Sequence, residues 1–239
     1  MKSALLAFQA FPALLLVLTG PCSRRAPAPA PSAAPSASAS PLASAATPIP
    51  TCPGFTEHAT PWSAGGRIRS LETADILEPA VKAAAANGSE SSWSLSEDPI
   101  TLQLKDAELA VASLQGFGEA AVVSFRKDDF GYCSLGAWSD QFGGAGVQLK
   151  QVATVLGTSG YHAHAAYSVM EGMNGGINGG GTSFTCKLVA LFFNRHGLHE
   201  AATTTPKACL DPLPSVRFQR TGPKLFLRQG GARWEVEDY

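Results

Sequence analysis

The sequence predicts a mainly β protein: an antiparallel sandwich or barrel-like domain with one N-terminal helical segment. Three observations carry that prediction. Beyond Trp93, apolar residues recur at every second position, as on a half-buried strand. The apolar runs are short and separated by Gly-rich connections, the pattern of antiparallel sheets. Only one stretch, residues 71–86, has helical spacing.

That stretch reads LETADILEPAVKAAAA. Ser70 is positioned to cap it, Glu72 and Asp75 suit its positive end, and Asn87-Gly88 is a stop signal. Pro79 predicts a break, with a second helical piece starting after Glu78. Strands follow. Ile100, Leu102 and Leu104 alternate with Thr101, Gln103 and Lys105, and further strands are expected within 120–125, 147–155, 161–170 and 184–193. Asn194-Arg195-His196-Gly197 is a hairpin turn. The C-terminal end predicts a three-stranded meander: 216–219, a turn at Thr221-Gly222-Pro223, 224–229, a turn at Gly230-Gly231, then 232–237.

A small β-propeller is the alternative architecture. Segments 111–125 and 152–169 share a VA[ST]-x-x-G opening 41 positions apart, close to the period of a propeller blade. The first segment resembles FG-GAP-type propeller repeats, without the aspartates of that family's calcium loop.

The first fifty residues differ from the rest. They hold Lys2, Arg24 and Arg25 and no carboxylate, so the remainder carries 15 of the 18 basic residues against all 19 acidic ones, a formal charge of −4. An acidic body has no global attraction for nucleic acid, and that class of partner is excluded. Residues 1–20 pair a short positive start with an apolar stretch from Leu5 to Leu18, the pattern of an export signal. Leu18, Thr19, Gly20 and Cys22, followed by a polar segment, resemble the leader of bacterial lipoproteins. The resemblance implies lipidation at Cys22, and Pro21 departs from the small residue that the family places before its cysteine. Residues 23–50 are dominated by Ala, Pro and Ser and predict a disordered tether. The organisation is thus an export signal over 1–22, a tether over 23–50 and a single β-rich domain over 51–239.

Setting Cys22 aside leaves Cys52, Cys133, Cys186 and Cys209. Outside the cytoplasm these predict two disulfides. Three pairings are open; the short segment between Cys186 and Cys209 favours that pair, with Cys52–Cys133 by exclusion.

Motifs with chemical content are few. Residues 170–184, MEGMNGGINGGGTSF, place Gly181 where a phosphate-binding loop needs lysine, and a strand-like run follows where a dinucleotide fingerprint needs a helix. A mobile connection over 172–182 is expected instead. His162 and His164 form H-x-H on one strand face, and His196 and His199 form a second pair beside Glu200. These four histidines are the metal-ligand candidates, although no spacing joins the pairs and no cupin-type second motif follows. Gly157-Thr158-Ser159-Gly160 lacks the final glycine of a nucleophile elbow, and Ser124-Phe125-Arg126-Lys127 matches S-x-x-K without that motif's partners. Asp128-Asp129 reads as a turn. Arg217, Arg220, Lys224, Arg228 and Arg233, followed by Glu235, Glu237 and Asp238, read as cross-strand charge pairing on a solvated face, with a basic strip for an acidic partner as the sharper reading.

The expected function is that of an exported, lipid-anchored or secreted, envelope protein with a non-enzymatic binding role. Its partner is an unspecified envelope or extracellular molecule, with no cofactor and no membrane contact beyond a lipid on Cys22. The alternative is a hydrolase or metal-dependent enzyme using His162, His164, His196 and His199.

Overall fold

The computed structural model describes residues 51–52, 60–62, 66–142, 146–173, 183–205 and 215–238, all within the unit Thr47–Tyr239. The expectations for 1–22, 23–50, Cys22 and Cys209 lie outside the described residues, as does the connection 174–182. In chain order the elements are β1 (Arg67–Ile68), α1 (Thr73–Ala86), β2 (Ser94–Leu95), β3 (Ile100–Gln103), β4 (Glu108–Gly116), β5 (Glu119–Asp128), β6 (Gly131–Gln141), β7 (Gly146–Leu156), β8 (His162–Met173), β9 (Ser183–Asn194), β10 (Gly197–Thr204), β11 (Val216–Thr221), β12 (Lys224–Gln229) and β13 (Ala232–Val236). No helix among the described residues is long and apolar enough to cross a membrane.

The strands form three antiparallel sheets. The first runs β1-β6-β5-β4, with β2 and β3 sharing the outer edge of β4, and curls into a half-barrel. The second is β10-β9-β8-β7 and the third β11-β12-β13. Strand alternation decides how they stack. Leu109 and Val111 of β4 and Ala120 and Val122 of β5 meet Ala163, Ala165, Tyr167, Val189 and Leu191 of the second sheet in a shared core. The intervening residues Ala110, Ala112, Leu114, Ala121 and Val123 point the other way, towards Ile76 and Ala80 of α1 and towards Trp62. In the same fashion Ala166, Leu188, Ala190 and Phe192 turn to Leu225, Leu227 and Val236 of the third sheet. Helix, sheet, sheet and sheet thus stack in layers, a sandwich rather than a ring of blades. The two VA[ST]-x-x-G openings fall on β4 and β7, each the strand before a tight turn.

Two helix expectations need correction. α1 continues through Pro79 without a break. The proline removes one backbone bond, and burial of Ile76 and Ala80 against the first sheet outweighs that loss. Ser70 is not the cap: the N-cap is Glu72, with no side-chain cap bond. Ser70 instead donates from both its N–H and its hydroxyl to Asp75, at 2.9 Å each, and its hydroxyl accepts from the Glu72 N–H. The C-terminal stop is as expected. Asn87 is the C-cap, Gly88 has φ +68°, and the Ser89 N–H reaches back to the Ala84 carbonyl.

The C-terminal meander has the predicted turns: Thr221 pairs with Lys224 around Gly222-Pro223, and Gln229 pairs with Ala232 around Gly230-Gly231. Strands β4 and β6 were not anticipated, and β10 was implied only by the hairpin turn over 194–197, which the pairing of Gly197 with Asn194 bears out. In β6 the period of two is broken by a bulge, since Ser124 faces Gly136 while Phe125 faces Ser134, leaving Leu135 as the extra residue. Cys52 and Cys133 form a disulfide with a Cα–Cα distance of 5.4 Å, pinning the chain before β1 to β6. Cys186 is also disulfide-bonded, and the expected partner Cys209 lies outside the described residues.

Candidate functional site

β8 projects His162 and His164 from the face that turns towards the third sheet, because residues two apart share a side. The chain leaving β13 lies over them. His162 Nε2 is 2.9 Å from Asp238 Oδ1, and both side chains are about nine-tenths buried. Asp238 Oδ2 is held by the Arg220 guanidinium of β11. His164 is fully buried. Its Nε2 is 3.1 Å from the Glu237 carbonyl and 3.9 Å from Asp238 Oδ1. Ser159, in the turn between β7 and β8, brings its Oγ to 3.3 Å from His162 Nδ1.

Two features hold the His162 ring. Phe192 of β9 stacks on it at 5.0 Å between ring centroids. Gly157 lies against it on another side: a Cβ there would stand 1.9 Å from Nε2, so only glycine permits the approach. Burial, partly offset by the Glu237 carbonyl and the Asp238 charge, lowers the His164 pKa and keeps that imidazole neutral. Burial works in the opposite sense on Asp238, but hydrogen bonds from Arg220 and His162 outweigh it and hold the carboxyl below its ordinary range. The pocket thus contains an anionic carboxylate beside a neutral imidazole.

The four candidate histidines do not form one cluster. His199 of β10 packs on Phe192 at 4.6 Å, and His164 contacts the same ring at 5.3 Å from β8. Since β9 runs between β8 and β10, Phe192 separates the two pairs. His196 sits in the β9–β10 turn and accepts from Arg195 Nε at 2.9 Å. Asp238 and Arg220 were missed as site residues because their charges read as part of a solvated strip. Within that strip Lys224 does pair with Glu235 at 2.8 Å, while Arg217, Arg228 and Arg233 stand opposite one another across three strands. Asp128, expected only in a turn, forms a two-pronged pair with Arg67 of β1.

Ser159, His162 and Asp238 follow one another as a nucleophile, base and acid would. Three of the turn's N–H groups are already engaged elsewhere. The Gly157 N–H is committed to the His162 carbonyl, the Gly160 N–H to the Gly157 carbonyl and the Tyr161 N–H to Ser159 Oγ. No pair of free N–H groups among these is left to stabilise an oxyanion. Ser124, of the S-x-x-K match, is fully buried in β5 and out of reach of a substrate.

Beside His162 a cleft of about 470 Å³ opens at the end of the sandwich. Its walls come from the segment between β3 and β4 (Asp106), the β7–β8 turn (Ser159, Tyr161) and the β9–β10 turn (Arg195, His196). Arg195 and Asp106 bridge at 3.4 Å. Tyr161 is 52% exposed, with the Lys105 ammonium 5.3 Å from the centre of its ring. A larger cleft of about 780 Å³ separates β10 from the β12–β13 edge of the third sheet, and Asp238 lies on its wall. No protein family, curated protein sequence or solved structure matches the chain.

Proposed function

We propose that this chain is an exported envelope protein whose β-rich body binds a partner without chemistry, and that the partner engages the end of the sandwich where the three turns meet. One observation carries the reading. That end combines a cleft of about 470 Å³, a half-exposed tyrosine and an opposed Arg195–Asp106 pair, all set on the rigid ends of packed strands. Binding residues concentrate on such loops, and exposed tyrosine with arginine is the composition of interface anchors. The Cys52–Cys133 disulfide supports an oxidising compartment, and the leader and tether support delivery there. Export leaves two forms, a secreted chain or one anchored at a membrane surface by a lipid on Cys22.

The test is site-specific photo-crosslinking in intact cells of the native host. A photoreactive residue replaces Tyr161 in one variant. In a second it replaces Phe117, which is 73% exposed beyond the opposite end of β4. A discrete adduct at position 161 and none at 117 is expected. Adducts at 117 alone, or at neither position, would overturn the assignment of the binding end.

A further inference from the structure

His162, His164 and Asp238 each offer one ligand atom, all within 4.8 Å of one another, and Asp238 Oδ1 is 2.9 Å from His162 Nε2 and 3.9 Å from His164 Nε2. As a purely structural knot this cluster is incomplete. Among the described residues, His164 Nδ1 and one terminal nitrogen of Arg220 are buried without a hydrogen-bond partner. Native interiors rarely leave such atoms unsatisfied, and a half-satisfied polar network is less stable than an apolar core. Neither orphaned nitrogen is itself a ligand atom of the cluster; a cation is indicated by three ligand-type side chains brought within 4.8 Å of one another from β8 and the C-terminal end of the chain.

We propose that these three atoms bind a divalent transition cation. Two imidazoles and one carboxylate form a donor set suited to Zn²⁺, with further coordination positions left for other ligands. H-x-H on a strand places both rings on one face, and Phe192 restrains each of them. Arg220 fixes Asp238 through Oδ2 and leaves Oδ1 directed at the histidines. Ser159 Oγ stands where the outer nitrogen of a metal-bound histidine finds its acceptor. In the bound state each ring carries its proton on Nδ1 and presents its Nε2 lone pair to the cation. For His162 that proton meets Ser159. For His164 it meets no partner, and the Arg220 charge is close, so the site binds more weakly than closed structural zinc sites do. His162 and Ser159 also line the cleft of the partner-binding reading, but the metal site stands on its own donor atoms and its test reads cation binding, not partner capture.

The experiment uses the full chain, untagged and stripped with a chelator, titrated with Zn²⁺ by calorimetry. One equivalent per chain is expected. Asp238→Asn, nearly isosteric, weakens binding about tenfold or more, while His196→Gln and His199→Gln leave it unchanged. NMR of the parent provides a readout that needs no variant: the ring nitrogens of His162 and His164 shift on titration. Absence of saturable binding, retention of the parent affinity in Asp238→Asn, loss of binding in His199→Gln, or unmoved His162 and His164 signals would each overturn the proposal.

Discussion

Gly157→Ala is the substitution to which the His162 pocket is most sensitive. The added methyl would stand 1.9 Å from His162 Nε2 and 2.3 Å from each of its neighbouring ring carbons. Ordinary carbon contacts are about 3.5 Å, so the ring must retreat by roughly 1.5 Å. Phe192 is stacked on the ring at 5.0 Å and limits where it can go. A displacement of that size takes Nε2 out of hydrogen-bond range of Asp238, now 2.9 Å away. Overpacking costs about 1–3 kcal/mol, and a hydrogen bond to a charged group contributes about 1.5–3 kcal/mol. Retreat relieves part of the first by giving up the second, and the stiffer unfolded chain returns about 0.5 kcal/mol. A net loss of about 2 kcal/mol is expected. The assay is urea unfolding of the parent, Gly157→Ala, Asp238→Asn and the double variant. Gly66→Ala is the control, since a Cβ at Gly66 meets nothing within 4 Å. If the methyl separates His162 from Asp238, Asp238→Asn costs much less in the Gly157→Ala background than alone. A Gly157→Ala protein as stable as the parent, or strictly additive losses, would refute the reasoning.

Two further outcomes follow from the fold. Cys52 and Cys133 are 81 residues apart, a loop whose closure limits unfolded-chain entropy by about 4.5 kcal/mol at most; a Cys52→Ser/Cys133→Ser double variant should lose about 2–4 kcal/mol in denaturant unfolding, and an unchanged midpoint would contradict this. Asp128 is held below the ordinary carboxylate value of 3.8 chiefly by its hydrogen bond from Arg67, against opposing desolvation. Its contribution, about 1 kcal/mol for a partly exposed pair, is therefore present above pH 3.8 and lost as pH falls through the lower folded value. The stability difference between the parent and Asp128→Asn should be constant near neutrality and close only in acid; a difference that closes between pH 5 and 7 would rule this out.

The legible and illegible parts of the molecule separate along physical lines. Local rules sufficed for the C-terminal meander, where Gly222 and Gly230 adopt the positive φ their turns require, and for the Asn87-Gly88 helix stop. Period-two runs located β3, β5, β7, β8 and β9. β6 escaped because its bulge at Leu135 shifts the alternation and Gly136 interrupts it. β10 was signalled only by its turn, because Ala201 and Ala202 carry little apolar signal beside His199 and Glu200, and a second bulge lies there. Pro79 misled because the packing of one helix face is a tertiary effect that a local propensity does not contain. At the site, H-x-H announced a shared face for His162 and His164. The Asp238 partnership spans 76 positions and is fixed only when the third sheet docks on the second. Arg220, read as one of five similar cations, becomes distinct only because the inward face of β11 turns it towards Asp238.

The proposed export would account for the expected Ala/Pro/Ser tether and for the Cys52–Cys133 disulfide, and it is tested most directly by the intact mass of the native protein in an extracytoplasmic fraction. The expected chain lacks the first 21 residues or a nearby segment and carries its body cysteines as two disulfides; a diacylglycerol mass on Cys22 would identify the anchored rather than the secreted form. A chain that still begins at Met1, recovered from the cytoplasm with Cys52, Cys133, Cys186 and Cys209 as free thiols, would contradict it.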